Sequence, residues 1–366
     1  MNNKTQVAIV GYGVIGKRVA EAVARQPDMV LAGVADVAAD WRLLAAVARQ
    51  IPLFAADPAA GDGMRAGGLP LAGSLADLLE RCDIVVDCTP KRIGAKNAER
   101  YRAAGKPFLL HGGEKHEVTG HSFVAEANYA SAVGRTATRI VSCNTTSIVR
   151  TLGALKRAGL LRRARGTLLR RATDPWESHL GGIMNTVVPE PSIPSHQGPD
   201  ARSVDPDLDV VTMAVAVPTT IAHVHYWAVD MARPATKDEV LEAFASSSRI
   251  ALIGGTSGLV APNVVKELMA DIGRPHDSLY EVGLWADMLR VEGNELFYAY
   301  MVDNQAIVIP ETIDAIRALT AVHVSAGESI ALTDATLGMG IPFARNRASP
   351  ASIAGASPPA PPITVT

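Results

Sequence analysis

A glycine-rich turn near the amino terminus constrains the fold more than any other feature of the sequence. The short apolar run Val7–Val10 precedes Gly11-Tyr-Gly-Val-Ile-Gly16, and a helical pattern follows. A second apolar run, Val30–Val34, leads to Asp36. Strand, glycine turn, helix and strand in this order are typical of a βαβ unit that binds a dinucleotide. The glycines let the backbone approach a pyrophosphate, and the helix N-terminus donates N–H groups to it.

The acidic residue at the end of the second strand bears on the choice of cofactor. A carboxylate there suits the free ribose hydroxyls of NAD and repels the additional phosphate of NADP. We therefore predict NAD as the cofactor, with NADP disfavoured but not excluded. An ordinary tight turn without a ligand is the alternative interpretation of the glycine pattern. The predicted cofactor contacts in this unit are Gly11, Gly13, Val14, Ile15, Gly16 and Asp36.

Strands and helices continue to alternate up to residue 142. Asp83–Cys88 and Pro107–Leu110 are apolar strand patterns, whereas residues 52–71, rich in Ala, Gly, Pro and Asp, are expected to form a loop. The alternation predicts an α/β fold with a doubly wound parallel sheet, a Rossmann arrangement. Ligands bind at the carboxyl ends of the strands of such a sheet. This adds four residues to the predicted cofactor site, namely Thr89, Pro90, Gly112 and Gly113.

A cysteine lies at a further strand–helix junction. An apolar run after Arg139 leads into Ser142-Cys-Asn-Thr-Thr146, and a helical pattern follows. Asn144 or Thr145 is expected to cap that helix, so that its N–H groups point at the Cys143 sulfur and lower the pKa of the thiol. A thiolate attacks carbonyl carbons, which makes Cys143 a candidate nucleophile. The alternative is a buried cysteine that packs as a small apolar residue.

Two histidines lie close together in the second half of the chain. His223 and His225 belong to a predicted strand, where they face the same side. One is expected to be an active-site base and the other a hydrogen-bonded packing residue, and the sequence leaves open which is which. Zinc binding is the alternative, but no third cluster of ligands has metal-binding spacing, so we predict no metal.

The second half of the chain has the pattern of an α+β domain. Residues 208–217 have a strand pattern, and residues 278–289, 295–302 and 306–309 are expected to be strands of a mainly antiparallel layer. The segment 176–200, rich in Gly, Pro, Ser and His, is expected to be an ordered binding loop. From Ile341 the chain is rich in Ala, Pro and Ser, and this tail is predicted to be disordered.

Composition argues against several classes of function. A chain of 366 residues exceeds the usual size of a single core, which favours two domains. A net charge of −2 gives no reason to expect nucleic acid or an acidic membrane surface as a partner. Three cysteines form no disulfide framework, and the sequence has neither a signal-peptide layout nor an uninterrupted apolar span. We therefore expect a reduced, cytoplasmic protein without a membrane segment.

Several stretches together resemble the type II (archaeal-type) phosphorylating glyceraldehyde-3-phosphate dehydrogenases. The most specific is Val141-Ser-Cys-Asn-Thr-Thr146, preceded by Gly112-Gly-Glu-Lys115. Further matches, in order between residues 5 and 340, are 11–20, 83–90, Arg170-Arg171, Pro194-Ser-His196, Pro218-Thr-Thr220 and 308–317. The resemblance implies a homotetramer whose C-terminal helix folds back onto the nucleotide domain. The implied domains are residues 1–142 with 304–340, which bind NAD, residues 143–303, which are catalytic, and the tail 341–366.

The resemblance also implies a reaction. Cys143 attacks the aldehyde of glyceraldehyde 3-phosphate to give a thiohemiacetal, and His223 is the base. Hydride passes to NAD, and inorganic phosphate then displaces the cysteine from the thioester as 1,3-bisphosphoglycerate, in a reversible reaction. The groups implied to bind the substrate and phosphate are Ser142, Asn144, Thr145, Thr146, Arg170, Arg171, His196 and Gln197. Without the resemblance, a solvated basic face is the less favoured alternative for Arg170 and Arg171.

The chain departs from the family pattern in three places, the first of which is Asp36, where many members that take NADP have a basic or neutral residue. Gln197 stands where the family has a second histidine, and Asp303-Asn304-Gln305 stands where the family has His-Gln-Glu. Asn304 is then the amide implied to contact the nicotinamide. The alternative substrate is another small aldehyde that carries a phosphate or phosphonate, and the alternative acceptor is water.

A nucleotide-binding regulatory protein without turnover is the alternative of another class. Cys143, Asn144 and His223 argue against it, because a protein without turnover has no need of this constellation. The sequence leaves open the direction of the reaction in the cell, which arginine binds which phosphate, and the role of the tail.

Overall fold

The computed structural model describes residues 4–111, 113–174 and 184–340. By their internal contacts these residues form two compact units. The first unit comprises the chain up to Ser142 together with Val308–Leu337, and the second comprises Cys143–Ile307 with the described residues after Leu337. The predicted tail and the early part of the predicted binding loop, residues 175–183, lie outside the described residues.

A parallel sheet forms the centre of the first unit, which confirms the predicted Rossmann arrangement. Its strands are β1 (Thr5–Val10), β2 (Met29–Asp36), β3 (Leu53–Ala55), β4 (Leu71–Ser74), β5 (Ile84–Asp87), β6 (Phe108–Leu110), β7 (Ser122–Phe123) and β8 (Ala137–Ile140). They lie in the order β4-β3-β2-β1-β5-β6-β8-β7, and every pairing is parallel. The strand order reverses at β1, between β2 and β5, which is where such sheets bind ligands.

Helices connect these strands. They are α1 (Val14–Ala24), α2 (Trp41–Ala48), α3 (Pro58–Ala66), α4 (Leu75–Arg81), α5 (Ile93–Ala103), α6 (His116–Thr119) and α7 (Ala125–Ala132). In α1 the residues Val19, Ala22 and Val23 recur at helical spacing and are buried, so one face of the helix joins the core.

The prediction of a loop at residues 52–71 is wrong, because β3, α3 and the start of β4 occupy most of this segment. Helix α3 begins where the Asp57 side chain accepts a hydrogen bond from the Ala60 N–H (2.7 Å) and Pro58 takes the first helical position. These are ordinary helix-start signals. The many Ala and Gly residues of the segment obscure the apolar periodicity on which the prediction depended.

A mixed sheet forms the centre of the second unit. Its strands are β9 (Leu161–Arg171), β10 (Val188–Pro189), β11 (Val210–Val217), β12 (His223–Met231), β13 (Ile250–Ile253), β14 (Val282–Trp285), β15 (Arg290–Glu292) and β16 (Glu295–Val302). The order is β10-β11-β9-β12-β16-β14-β13, with β15 on β16. Only the β9–β11 and β13–β14 pairings are parallel among the described strands, so the predicted mainly antiparallel layer is confirmed.

The helices of the second unit precede or connect these strands. They are α8 (Cys143–Arg157), α9 (Gln197–Arg202), α10 (Lys237–Ala245) and α11 (Pro262–Asp271). In the part of the chain that the structure describes, no helix is long and apolar enough to cross a membrane.

The chain then returns to the first unit with α12 (Val308–Leu319) and α13 (Ala326–Leu337). The strand expected at residues 306–309 is therefore wrong. Asp303 ends β16 in a turn, because its carbonyl accepts the backbone N–H groups of Ala306 and Ile307 and its side chain accepts that of Gln305 (3.0 Å). A short apolar run fits a strand or a buried helix equally well, and the turn decides between them.

Candidate active site

The glycine turn of the first unit has the shape that a pyrophosphate requires. Gly11 has a φ of +89°, which favours glycine, and a Cβ on Gly16 would lie 1.9 Å from the Gly11 carbonyl oxygen. A Cβ on Gly13 would meet no atom within 4 Å, so the backbone is open there. Val14 and Ile15 then begin α1, which has no acidic side chain in its first turn. The free N–H groups at this helix start favour a phosphate.

The carboxylate of Asp36 is fixed by backbone groups at the end of β2. Its Oδ2 accepts a hydrogen bond from the Tyr12 N–H (2.6 Å). Its Oδ1 accepts from the N–H groups of Val37 (2.7 Å) and Ala38 (2.8 Å). These bonds hold a negative charge beside the glycine turn, where the predicted ribose would bind.

The other predicted cofactor residues of the first unit follow neighbouring strands. Thr89-Pro90 comes after β5, and a Cβ on Gly11 would lie 3.0 Å from the Thr89 nitrogen, so the ends of β1 and β5 adjoin. Gly113 follows β6 with a φ of +72°. Gly112 lies outside the described residues. The remaining residues collect at the carboxyl ends of β1, β2, β5 and β6.

Cys143 and His223 form a close pair in the second unit. Cys143 is the first residue of α8, directly after Ser142, and His223 is the first residue of β12. The Cys143 Sγ lies 3.3 Å from the His223 Nε2. Cys143 is partly exposed, whereas His223 is buried. A thiol within hydrogen-bond reach of an imidazole is the arrangement of a cysteine nucleophile.

The start of α8 differs from the predicted cap. The helix begins at Cys143 itself, so Asn144 and Thr145 lie in its first turn and neither caps it. The Thr145 hydroxyl instead donates to the Asp200 Oδ2 on α9 (2.8 Å). The Asn144 Nδ2 lies 3.9 Å from the sulfur. The sulfur still lies at the positive N-terminal end of the helix, because Cys143 is itself the first helical residue.

The predicted lowering of the thiol pKa is also wrong. Burial raises the pKa of Cys143 to about 11, and the charge of Arg171 and the backbone N–H of Asn144 oppose this without overcoming it. Burial likewise moves the pKa of His223 well below its ordinary value. Both groups are therefore neutral near pH 7. The sequence argument included the helix N-terminus but not the desolvation of a thiolate.

The hydrogen bonds of His223 define which ring nitrogen carries the proton. The Arg171 N–H donates to Nδ1 (2.9 Å), so Nδ1 is an acceptor. The neutral ring therefore has its hydrogen on Nε2, the atom that faces the Cys143 sulfur. In this tautomer His223 donates toward the sulfur. To accept a proton at Nε2, the ring proton would have to move to Nδ1, and the bond from Arg171 would break.

His225 has the hydrogen-bonded packing position that the sequence left unassigned. Its Nε2 lies 2.9 Å from the Asn144 Oδ1, and its Nδ1 lies 2.9 Å from the Tyr300 Oη. His223 is the histidine beside the sulfur, with its ring centroid 6.5 Å from that of His225. Within the described residues, no three His, Cys, Asp or Glu side chains are grouped so as to hold a metal ion.

Arg171 also connects this site with Asn304. Its Nη2 lies 3.2 Å from the Asp174 Oδ1, and its Nε donates to the Asn304 Oδ1 (2.6 Å). The Asn304 Nδ2 donates to the Ile221 carbonyl oxygen (2.9 Å). The buried Asn304 amide is thus hydrogen-bonded on both sides within the second unit. Its contact with a nicotinamide stays a prediction.

Arg170 and His196, two predicted anion-binding residues, share one carboxylate. Arg170 Nη1 pairs with Glu190 Oε2, and His196 Nδ1 lies 2.9 Å from Glu190 Oε1. Burial raises the pKa of Glu190, but the hydrogen bond and charge of His196 and the charge of Arg170 lower it overall. Glu190 is therefore ionised, and an incoming phosphate has to compete with it for both side chains.

Gln197 and Thr146 are fully buried predicted substrate contacts. In the part of the chain that is described, the Gln197 amide and the Thr146 hydroxyl have no hydrogen-bond partner. Gln197 begins α9 and Thr146 lies in α8, two helices that the Thr145–Asp200 bond joins. Unpaired buried polar groups are rare, which makes both residues candidates to bind a ligand or water.

Three residues at these sites escaped the sequence analysis. Tyr300 lies in an alternating strand pattern, where an aromatic residue is normally core. Glu190 lies in a segment without periodicity. Asp87 is a buried carboxylate at the end of β5 that accepts from the Thr89 N–H (2.9 Å) and the Tyr101 hydroxyl (2.7 Å). Only Asp87 gave a signal, as an acid within an apolar strand.

The two units together define a class of protein. A Rossmann unit with a glycine turn and an α+β unit with a cysteine against a histidine are features of dehydrogenases that oxidise aldehydes through a cysteine thioester. A family model described as glyceraldehyde 3-phosphate dehydrogenase, C-terminal domain, matches residues 142–274. A model described as dihydrodipicolinate reductase, N-terminus, matches residues 5–112.

Curated relatives extend this likeness along the chain. The glyceraldehyde-3-phosphate dehydrogenase of Metallosphaera sedula is 42% identical over 336 residues, 92% of this chain and 98% of the relative. That of Archaeoglobus fulgidus is 42% identical over 342 residues, 93% and 99% of the two chains. That of Methanobrevibacter smithii is 40% identical over 335 residues, 91% and 99%. The chain belongs to the archaeal-type glyceraldehyde-3-phosphate dehydrogenase family, as its motifs indicate.

A solved structure shares the fold. The crystal structure of aspartate semialdehyde dehydrogenase II complexed with ASA from Vibrio cholerae has a TM-score of 0.62 and covers 87% of this chain and 99% of its own. At 14% sequence identity this likeness concerns the fold alone.

Proposed function

We propose that the protein catalyses the NAD-dependent, phosphorylating and reversible oxidation of glyceraldehyde 3-phosphate to 1,3-bisphosphoglycerate. The observation that carries the proposal is the 3.3 Å approach of Cys143 Sγ and His223 Nε2 in a chain whose relatives bear that enzyme name. A nicotinamide cofactor follows from the family, and the carboxylate of Asp36 supports NAD as the form used.

Cys143 is the proposed nucleophile. Its thiol first loses its proton to solvent, and the thiolate sulfur then adds to the aldehyde carbon, so that a C–S bond forms, the C=O π bond breaks, and the carbonyl oxygen becomes an oxyanion. His223 Nε2–H and Asn144 Nδ2–H both face the sulfur and are proposed to donate to that oxygen. Where the oxygen has taken up a proton, the proposed base is His223 in the tautomer with its hydrogen on Nδ1, which forms when the bond from the Arg171 N–H breaks, and its Nε2 then accepts the hydroxyl proton as the C=O bond re-forms. Loss of hydride from the carbon leaves a thioester.

The strand ends of the first unit fit a nicotinamide dinucleotide. The turn Gly11–Gly16 is proposed to hold the pyrophosphate, because its backbone is open at Gly13 and no Cβ fits at Gly16. Asp36 is proposed to bind the ribose hydroxyls, and Asn304 to contact the nicotinamide. When bound, the nicotinamide accepts the hydride that the substrate carbon loses.

Inorganic phosphate completes the proposed reaction. Its oxygen attacks the thioester carbon, the C–S bond breaks, and Cys143 leaves as the thiolate while the acyl phosphate forms. The proposed donors to the substrate phosphate and the attacking phosphate are Thr145, Thr146, Arg170, Arg171, His196 and Gln197. Glu190 has to release Arg170 and His196 for an anion to bind both.

The test is NADH formation from glyceraldehyde 3-phosphate with and without inorganic phosphate, with Cys143→Ser as the blank. The proposal requires phosphate-dependent turnover that the blank lacks. Turnover that does not depend on phosphate would show that water, rather than phosphate, releases the product from the thioester. NAD binding without any turnover would favour a regulatory protein instead.

A second candidate substrate is another small aldehyde with a phosphate or phosphonate group. It is favoured by the buried Gln197, whose amide has no partner within the described residues and stands where the family has a histidine. The same assay across such aldehydes decides, since the substrate with the highest kcat/KM identifies the one this site fits.

The domain roles and assembly are part of the proposal. We propose that residues 1–142 with 304–340 bind NAD, that residues 143–303 are catalytic, and that the protein is a cytoplasmic homotetramer. Free Cys82, Cys88 and Cys143 fit a reducing compartment. Sedimentation of the purified protein tests the assembly, and a monomer at micromolar concentration would contradict it.

A further inference from the structure

A chain of three buried side chains ends at the catalytic sulfur. The Tyr300 Oη lies 2.9 Å from the His225 Nδ1, and the His225 Nε2 lies 2.9 Å from the Asn144 Oδ1. The Asn144 Nδ2 in turn lies 3.9 Å from the Cys143 Sγ. Tyr300 and His225 are fully buried and Asn144 nearly so. All four residues belong to the second unit.

We propose that Tyr300 and His225 are positioning residues that hold the Asn144 amide with its NH₂ group toward the Cys143 sulfur. Asn144 is then a catalytic residue, because it donates to the thiolate and to the oxyanion that forms on the bound aldehyde. This inference rests on the proposed thioester chemistry. It adds an explanation of how Asn144, the second oxyanion donor beside His223, is held in position.

The direction of each hydrogen bond follows from the groups themselves. The Asn144 Oδ1 can only accept, so the His225 Nε2 has to donate to it. A neutral ring with its hydrogen on Nε2 accepts at Nδ1, so the Tyr300 hydroxyl donates there. Burial keeps this ring neutral, because it lowers the pKa of His225 to about 3. The neutral His225 ring thus fixes the orientation of the Asn144 amide through its two hydrogen bonds.

The reversed arrangement has a chemical cost. If the Tyr300 hydroxyl donated to the Ser147 Oγ, 3.3 Å away, His225 would donate from Nδ1 and accept at Nε2. The Asn144 amide would then turn its NH₂ group to His225 and its carbonyl oxygen to the sulfur. A carbonyl oxygen there repels both a thiolate and an oxyanion. The two arrangements differ in the tautomer of His225, which can be measured.

The first test measures that tautomer in the unmutated protein. Long-range ¹⁵N spectra of histidine-labelled protein report which nitrogen of each ring carries hydrogen, and a His225→Gln sample assigns the signal. We expect His225 to have its hydrogen on Nε2, without change between pH 8 and pH 5. A hydrogen on Nδ1, or a ring that titrates in this range, overturns the proposal.

The second test is a mutant cycle. Asn144→Ala is expected to lower kcat on the order of 100-fold, the loss typical of one oxyanion donor. Tyr300→Phe is expected to lower kcat about tenfold with little change in KM. A loss of this size is typical when a residue that orients a functional group by a hydrogen bond is removed. In the Asn144→Ala protein, Tyr300→Phe should change kcat less than about twofold, because the group that it orients is gone. A tenfold loss in that background would mean that Tyr300 acts through the fold, and would overturn the proposal.

Tyr298→Phe is the matched control. Tyr298 is also buried on β16, with its ring centroid 6.0 Å from that of Tyr300, and its hydroxyl has no hydrogen-bond partner among the described residues. The same loss of one hydroxyl should leave kcat within about twofold of the unmutated enzyme, as expected for a residue without a partner in the site. An equal loss in both variants would assign the effect to core packing.

The readouts separate this inference from the proposed function. The tautomer requires no substrate, and the mutant cycle can be run with whichever aldehyde the enzyme oxidises. If glyceraldehyde 3-phosphate is not oxidised, the proposed substrate is wrong. The positioning of Asn144 is then still tested by the His225 tautomer and by the mutant cycle.

Discussion

At the scale of single residues, the reactivity of Cys143 depends on a balance around one sulfur atom. Burial disfavours the thiolate, whereas Arg171 and the first turn of α8 favour it. The neutral His223 donates toward the sulfur without adding charge. The resting site therefore holds a thiol, and negative charge is stabilised by donors that are already in place when the aldehyde enters.

The raised thiol pKa predicts how alkylation of Cys143 depends on pH. Below a pKa of about 11, the thiolate fraction grows as pH rises, so the rate of iodoacetamide labelling should increase roughly tenfold per pH unit between pH 7 and 9. Mass spectrometry of the labelled Cys143 peptide measures this, with Cys143→Ser to identify labelling elsewhere. A rate that levels off below pH 8 would show that the helix and Arg171 outweigh burial.

The charge of Arg171 gives a second prediction at this scale. Arg171→Gln removes a cation that lowers the thiol pKa, so the pKa rises further and labelling at pH 8 should slow roughly 3- to 10-fold. The neighbouring Arg170→Gln is the matched control, because Arg170 pairs with Glu190 and is not among the main charges that shift the thiol pKa. Equal slowing in both variants would contradict a specific role for Arg171.

At the scale of elements, the two proposed reacting groups are the first residues of a helix and of a strand. Helix α8 begins at Cys143, and β12 begins at His223. The antiparallel register of β12 with β9 pairs Val224 with Leu169, which brings the Arg171 N–H to the His223 ring. A slip of one residue would turn both histidines to the opposite face of the sheet. The register of two strands therefore fixes the tautomer of the histidine beside the sulfur.

The end of β2 carries the prediction on the cofactor. Asp36→Asn keeps an oxygen for the ribose hydroxyls but removes the charge that repels a 2′-phosphate, so the ratio of kcat/KM for NAD to that for NADP should fall about tenfold. Asp40→Asn, which alters an acid of the following loop that pairs with Arg42, should leave the ratio unchanged. An unchanged ratio in Asp36→Asn would remove Asp36 as the determinant.

At the scale of the whole molecule, distant parts of the chain meet within the first unit. Arg317 of α12 is fully buried, and its guanidinium bonds both carboxylate oxygens of Asp28 (2.8 and 2.9 Å), which precedes β2. The same guanidinium bonds Gln26 (2.6 Å) and Thr333 of α13 (2.6 Å). One side chain thus ties the returning C-terminal helices to the start of the sheet.

Arg317→Met should therefore destabilise the first unit by about 3 kcal/mol, because it leaves a partly buried carboxylate without its cation. Burial raises the pKa of Asp28, but the bonds from Arg317 lower it overall, so the contribution is present at neutral pH and is lost as pH falls below the ordinary pKa of Asp. Thermal melts at pH 7 and pH 3 measure this, and the difference from the unmutated protein should shrink at pH 3, below the ordinary pKa of Asp.

The matched control for Arg317→Met is Arg25→Met. Arg25 makes an exposed pair with Glu21, so its loss should cost less than about 1 kcal/mol at either pH. Similar melting temperatures for the two variants would show that the return of α12 does not depend on the Arg317–Asp28 pair.

Some of the fold and site could be predicted because the signal is local. The glycine turn, the apolar strands of the sheet and the Cys143 junction each lie within a few residues of chain. Residues 52–71 and 306–309 were misassigned, since short elements rich in small or apolar residues have no distinctive period. Tyr300 was missed because its partner His225 lies 75 residues away in the sequence, and Glu190 was missed because it lies in a segment without periodicity.

By itself the sequence determined the first βαβ unit, the apolar strands that follow it up to the Cys143 junction, the open backbone at Gly13, and the chemical groups available at Cys143, His223 and Asp36. These depend on side-chain type and local periodicity, which the chain carries directly. Only the tertiary structure decided that His223 rather than His225 faces the sulfur, which nitrogen bears the proton, and that the thiol is neutral. Hydrogen-bond direction and desolvation depend on which atoms surround a group in space, and strand register and packing set those neighbours.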